Sequence, residues 1–467
     1  MRIPTNISVV YGSDGKPLTD GSGEISLFDR LLGGGLEIPD VVIHSWIDEP
    51  NSCSPIVLLI SGPAGTGKTT CLVSRLIAML AAGTDIGCIV AVTFTDKAAG
   101  ELRLRLRAGL EVAKAAAEGD ARKSLSNALD RLEHARVSTI HRFAGDLLRE
   151  RPIEAGIDPA FAPCSPAEQR ELLGQAFGLW LERVECSPTP ALKRYFARPG
   201  ASASRLRFAA ERLIEHRHLA APWTRRPIEL TGEMQSVLDA VRKLAEMAKN
   251  PQSRRDKLYQ SLSPVLDLAV RLSRHELAAV EAEAALVELS EASFGHSKGW
   301  GGYGEGVDRA ALFAEVSALK VMLATFVTRA SADLAVELQA DLLQVGELYR
   351  ELKARRGALD FDDLLLLARQ LLVRDPHLLA QTRMRLRHFF VDEFQDTDSS
   401  QAALLLLLAS DDPVETAPLA MRPAPGKLFL VGDPKQSIYR FRQADPGTYF
   451  LIKEHVIACG GEVLHLN

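Results

Sequence analysis

Gly62-Pro-Ala-Gly-Thr-Gly67-Lys68-Thr69 stands between a short apolar run, residues 56–61 (IVLLIS), and a segment of helical spacing from Lys68 to about Ala82. An apolar run ending in a glycine turn suits a buried parallel strand. The glycines let backbone N–H groups turn inward around phosphate oxygens, helped by the positive end of the helix that follows. Lys68 is then expected to reach the β- and γ-phosphates of a nucleotide, and the Thr69 hydroxyl to hold Mg²⁺. The candidate phosphate-binding set is Gly62, Pro63, Ala64, Gly65, Thr66, Gly67, Lys68, Thr69 and Thr70. The alternative reading of the same string is an ornamental glycine turn.

The partner such a loop needs is an acidic metal ligand at the end of a neighbouring strand. His388-Phe-Phe-Val-Asp392-Glu393 supplies apolar residues followed by two carboxylates. Asp392 is expected to bind Mg²⁺ through water, and Glu393 to orient and deprotonate the attacking water. By itself the Asp-Glu pair is equally a helix N-cap; combined with the loop at Gly62 it reads as the second half of a nucleotide site.

Further strands fit residues 88–94, 136–140, 386–392, 427–432 and 462–466, alternating with helical segments, which predicts a parallel sheet with crossover helices. Residues 1–50, with seven glycines and four prolines, read as a loop-rich extension. Residues 156–355 are rich in Ala, Leu, Arg and Glu at helical spacing. The expected organisation is one α/β domain, residues 51–155 and 356–467, interrupted by a helical insertion at 156–355. Within the insertion, residues 295–306 hold six glycines with Trp300 and Tyr303; they read as a mobile surface loop or a DNA-contacting one. The basic stretch 205–226 reads as a DNA contact or as a solvated helix face. Residues 413–426, with four prolines, read as an exposed connection.

Composition narrows the class. The chain has 467 residues, 46% hydrophobic and 25% charged, as in ordinary globular proteins. Its net charge of −5 means that any nucleic-acid site must be a local basic cleft. The six cysteines form no CxxC pair, which gives no support to a zinc ribbon or iron–sulfur cluster. Continuous apolar runs such as residues 402–409 fall short of the ~18 residues that span a bilayer, and the N-terminus lacks a signal pattern. A cytoplasmic protein is expected.

Several strings together resemble a known family. Asp392-Glu-Phe-Gln-Asp-Thr397 and Gly432-Asp-Pro-Lys-Gln-Ser-Ile-Tyr-Arg-Phe-Arg442 resemble motifs II and III of the UvrD/Rep-like superfamily 1A DNA helicases. The second string is most similar to the RecB and AddA branch, the motor subunits of exonuclease V-type complexes. Val92-Thr-Phe-Thr-Asp-Lys-Ala-Ala99 with Glu101-Leu-Arg-Leu-Arg105 resembles motif Ia, Ser138-Thr-Ile-His-Arg-Phe143 the next DNA-contacting motif, and Leu359-Asp-Phe-Asp-Asp-Leu364 a further signature. The resemblance implies a RecA-like P-loop NTPase fold with helices on both faces of the sheet, ATP and Mg²⁺ as cofactors, and ATP-driven movement on single-stranded DNA, 3′ to 5′, in recombination and double-strand break repair. It implies Gln436 beside the γ-phosphate. It also places Phe94, Thr95, His141, Phe441 and Arg442 on single-stranded DNA, where aromatic faces stack on any base. The helical insertion would guide single-strand or duplex-junction DNA, and a nuclease or helicase partner is implied as well.

The sequence departs from the family in four places. No glutamine precedes Gln169, so the adenine-reading glutamine usual upstream of the loop has no counterpart. Gln443 and Asp96 replace the usual glycine and asparagine. The sequence ends at Leu466-Asn467, about where motif IV would begin; a second motor domain with its catalytic arginines is expected to be missing, and the chain alone to turn ATP over poorly. The alternative is a module that binds DNA or a partner in a nucleotide-dependent way without unwinding. An unrelated phosphate-loop ATPase or kinase does not account for the Asp392 and Gly432 strings.

Overall fold

The computed structural model describes residues 57–61, 68–217, 223–224, 230–274, 277–295, 303–304, 307–412, 420–436 and 446–465. Six strands form one sheet: β1 (Val57–Ser61), β2 (Ile89–Thr93), β3 (Arg136–Thr139), β4 (His388–Val391), β5 (Leu428–Gly432) and β6 (Glu462–His465). The order across the sheet is β3-β2-β4-β5-β1-β6, and every pairing is parallel. The strands expected from the apolar runs are therefore present, most of them a residue or two shorter at their ends. All six carboxyl ends consequently lie along one edge, which is where open α/β sheets bind ligands.

Alternation along the central strands divides two cores. Val90, Val92, Phe389, Val391, Leu428 and Leu430 face one, and Ile89, Ala91, Phe390, Phe429 and Val431 face the other. Successive side chains of a pleated strand point to opposite faces, so a strand apolar at every position must be covered twice. One face is covered by α1 (Lys68–Ala81), α2 (Asp96–Ala116) and α3 (Gly119–Asp130) through Leu72, Leu76, Leu80, Leu102, Leu106 and Leu110. The other face is covered by α4 (Ile140–Glu150), α5 (Phe361–Arg374), α6 (Pro376–Arg385), α7 (Ser399–Ala409) and α8 (Pro446–Ala458). α7 is buried along nearly its whole length, from Gln401 to Ala409. Its apolar run is a core helix.

The chain divides into two compact units, one comprising Glu168–Lys353 and the other the sheet with its flanking helices, up to Ala167 and again from Ala354. Glu168–Lys353 is helical among its described residues. Its longest element, Arg309–Arg355, is 47 residues long, and part of it is long and apolar enough to cross a membrane by length and composition. Charged residues such as Glu315 and Lys320 interrupt that stretch, so no continuous run announces it. It lines the unit's core with Leu312, Val316, Leu319, Leu323, Phe326 and Ala330.

Two expectations need correction in these regions. Tyr303 belongs to no mobile loop: it is fully buried, its hydroxyl donates to the Ala248 carbonyl at 2.7 Å, and an ideal Cβ on Gly304 would lie 2.1 Å from the Asn250 carbonyl oxygen. Glycine is needed there because two backbones meet. The rest of that stretch, residues 296–302 with Trp300 and residues 305–306, lies outside the described residues. The connection before β5 is not fully exposed either, since Met421 is buried and its carbonyl is within 2.8 Å of His455 Nε2. In the basic stretch, Arg207 pairs with Glu211 at 2.9 Å and Arg212 with Glu215 at 2.5 Å. These arginines neutralise acids one helical turn away, as on a solvated helix face.

The helical unit also contains a buried ion network. Arg194 donates to Glu337 at 2.7 Å, Asp333 at 2.9 Å and Glu283 at 3.1 Å, and Arg198 donates to Glu283 at 2.5 Å. Replacing Arg194 with alanine leaves carboxylates buried beside too little positive charge. The expected cost is about 3 kcal/mol or more, measurable as a lower denaturant midpoint for the helical unit.

Candidate nucleotide and DNA site

Parallel strands bring three of the quoted strings to the same edge. β1 ends at Ser61, and α1 begins at Lys68; Gly62, Pro63, Ala64, Gly65, Thr66 and Gly67 lie outside the described residues. β4 delivers Asp392 and Glu393, and β5, which lies between β4 and β1, delivers Asp433 to Gln436. The loop strand and the acidic strand are thus separated by the strand that carries Gln436.

The Thr69 hydroxyl donates to Asp392 Oδ2 at 3.1 Å, joining positions 323 residues apart in sequence. Asp392 is 7% exposed, and its backbone N–H donates to the Val92 carbonyl at 2.9 Å, which extends the β2–β4 ladder. Burial pushes the Asp392 carboxyl up, the nearby Glu393 adds to this, and the Thr69 hydroxyl and Lys68 oppose it. A hydroxyl and a carboxylate converging at this distance are hard oxygen donors of the kind Mg²⁺ takes, with phosphate and water completing the shell. The residues present therefore fit the ion.

Glu393 has φ 55° and ψ 42°, and it is the sole non-glycine residue with positive φ among those described. A left-handed conformation at a side-chain-bearing residue costs of order 1–3 kcal/mol and persists only where surrounding contacts enforce it. Here a tight turn at Phe394–Asp396 follows, closed by the Asp396 N–H on the Glu393 carbonyl at 3.0 Å. Phe394, 1% exposed, anchors that turn against Tyr449 of α8, ring centroids 5.7 Å apart. Asp396 Oδ1 is buried without a hydrogen-bond partner among the described residues, and burial, reinforced by Glu393, raises its carboxyl to about 6. Thr70, on the first turn of α1, is exposed. The Gln436 side chain donates to Asp433 Oδ2 at 2.6 Å.

The residues proposed from resemblance for DNA lie at the ends of β2 and β3. Thr95 caps α2, its hydroxyl accepting from the Ala98 N–H at 3.1 Å, and Phe94 precedes it, half-buried. His141 opens α4, capped by Thr139, and its ring meets the Phe361 ring edge to face at 5.2 Å. Burial lowers His141 to about 4, so the imidazole is neutral at physiological pH and offers a ring rather than a charge. Phe441 and Arg442 lie outside the described residues. Two further residues join the site without a role that the sequence assigns them. Phe361, 47% exposed at the start of α5, carries a signal in its own signature string. Gln395, 2% exposed, carries none beyond its place in the Asp392 string.

Residues 49–457 match the family model of the UvrD/REP helicase N-terminal domain. The chain belongs to that family. It is 30% identical to an ATP-dependent helicase/nuclease subunit of Levilactobacillus brevis over 447 residues, covering 85% of this chain and 34% of that protein. Proteins of the same description from Listeria welshimeri and Syntrophomonas wolfei are 25% and 28% identical, over 92% and 84% of this chain and 38% and 33% of theirs. The chain spans about a third of the length of these curated relatives. Membership of the UvrD/REP helicase N-terminal domain family implies a P-loop NTPase fold, with which the parallel sheet and its flanking helices are compatible.

Proposed function

We propose that this chain is the ATP-hydrolysing motor half, with an inserted helical accessory domain, of a DNA helicase that moves 3′ to 5′ on single-stranded DNA in recombination and double-strand break repair. Its partners would be DNA, as a single strand or a duplex junction, and a further protein of the same complex, since its relatives are each one subunit of a helicase/nuclease. The Thr69–Asp392 contact carries the reading: two oxygens that would ligate Mg²⁺ meet next to Glu393, on the edge that also presents Gln436.

Lys68 would neutralise the β- and γ-phosphates, with the backbone from Gly62 to Gly67 and Thr70 around them. Bound Mg²⁺, held by Thr69 and Asp392, would draw charge from the γ-phosphoryl oxygens. Glu393 would take a proton from water as its oxygen bonds to γ-phosphorus. The bond to the bridging oxygen breaks, and its electron pair leaves with ADP. Gln436 would contact the γ-phosphate and be released when that group departs, signalling to the DNA edge. There Phe94, Thr95 and His141, with Phe441 and Arg442, would hold the strand, and exposed Phe361 against His141 would add a ring for a base to stack on.

The strand-binding half of this reading is tested by anisotropy of a labelled oligothymidylate, with and without a non-hydrolysable ATP analogue. Single strand is expected to bind more tightly than duplex of equal length, with affinity altered by nucleotide. Phe361→Ala is expected to weaken it roughly ten-fold, within the ~1–3 kcal/mol of one base stack. Equal affinity for duplex, indifferent to nucleotide and to Phe361, would overturn it. A module that only binds would show the same affinities but no hydrolysis above a Glu393→Gln control.

A further inference from the structure

The hydrogen bonds around Glu393 continue to the next strand through one buried side chain. Gln395 Nε2 donates to Glu393 Oε2 at 2.5 Å, and Gln395 Oε1 accepts from the Asp433 backbone N–H at 2.8 Å. Asp433 in turn accepts from Gln436 Nε2 at 2.6 Å through Oδ2, and from the Lys435 N–H at 3.0 Å through Oδ1. The orientation of the Gln395 amide follows from its neighbours. A carboxylate only accepts and a backbone N–H only donates, so reversing the amide would set oxygen against oxygen and N–H against N–H.

The approach is too close to be incidental. An ideal Cβ on Gly432 would lie 2.6 Å from Gln395 Oε1, 3.1 Å from Gln395 N and 3.2 Å from Phe394 N. The end of β5 therefore touches the turn after Glu393 only because residue 432 has no side chain. Glu393 and Gln436 follow different strands, and among the described residues this chain of bonds joins them side chain to backbone to side chain.

We propose that Gln395 is a positioning residue for ATP hydrolysis. Its amide clamps the Glu393 carboxylate and ties it to the Asp433–Gln436 turn, so that γ-phosphate contact at Gln436 and the aim of Glu393 are set together. This rests on Glu393 being the group that activates water.

The test compares the full chain with Gln395→Glu and Gln395→Met, using a fluorescent ATP analogue with Mg²⁺ for affinity and single-turnover hydrolysis with protein in excess for rate. Glutamate keeps the shape of glutamine but places an acceptor where the donor stood, and methionine fills a similar volume with no polar group. Both are expected to bind nucleotide within about two-fold of the wild type and to lose roughly ten-fold or more in hydrolysis, as for a misplaced general base. Cooperative thermal unfolding of the methionine variant keeps the comparison valid if the buried glutamate prevents folding. The proposal is overturned if the methionine variant hydrolyses within two-fold of wild type, or if affinity and rate fall together, as a purely structural role would require. A wild-type rate no higher than that of Glu393→Gln would instead remove the reading of Glu393, and this proposal with it.

Discussion

Glu393→Gln is expected to keep Mg²⁺–nucleotide affinity within about two-fold and to lower single-turnover ATP hydrolysis roughly 10²–10⁴-fold, the usual contribution of a placed general base. The substitution preserves size and leaves an oxygen to accept from Gln395, so the bond now spanning 2.5 Å survives in kind. What disappears is the capacity to take a proton from water. Binding is spared because the groups expected on the phosphates and ion, Lys68, Thr69 and Asp392, are untouched, and the Thr69–Asp392 contact does not involve Glu393. The left-handed backbone at residue 393 remains as strained for glutamine as for glutamate, so stability should hardly change. A rate that follows affinity downward would show that Glu393 holds the nucleotide and does not act on the water.

Gly432→Ala is the second large expected effect, and it differs in kind. The added methyl would meet one side-chain oxygen and two backbone nitrogens at 2.6, 3.1 and 3.2 Å. Gln395 is 2% exposed, and moving its amide away from the methyl would stretch both of its bonds. The expected destabilisation is about 1–3 kcal/mol from overpacking, with hydrolysis reduced at least as far as in the Gln395 variants. Denaturant unfolding and single-turnover hydrolysis measure the two losses. If stability falls while hydrolysis does not, the contact between the end of β5 and the turn after Glu393 serves packing alone.

These expectations differ in how far the sequence announces them. Asp392 and Glu393 are legible because apolar residues followed by two acids have a meaning beside a glycine-rich loop. The β-strands are legible because a parallel strand covered on both faces must be apolar throughout, as in β5, where all five residues are buried. Gln395 is not legible in the same way. A glutamine two residues past a strand has no periodicity to betray it, and its importance depends on Asp433, which lies 38 residues further on. Tyr303 misled for the opposite reason: a run of glycines reads as freedom, whereas at Gly304 the missing side chain allows two backbones to touch. Arg207 and Arg212 in the basic stretch 205–226 carried two readings, and only the positions of Glu211 and Glu215 beside them favour the solvated face; Arg225 and Arg226 lie outside the described residues.

The sequence by itself determined the parallel α/β sheet, the family and the residue types at the candidate nucleotide edge, because strand pattern, glycine spacing and acid placement are local properties written over a few consecutive residues. Tertiary structure alone decided which groups act as a unit. The Thr69–Asp392 pair, the left-handed Glu393 and the bridge from Glu393 through Gln395 to Asp433 and Gln436 arise where β4, β5 and α1 end side by side. Such contacts depend on distances of about three ångströms between segments far apart in the chain, and hydrogen bonds weaken steeply outside that range.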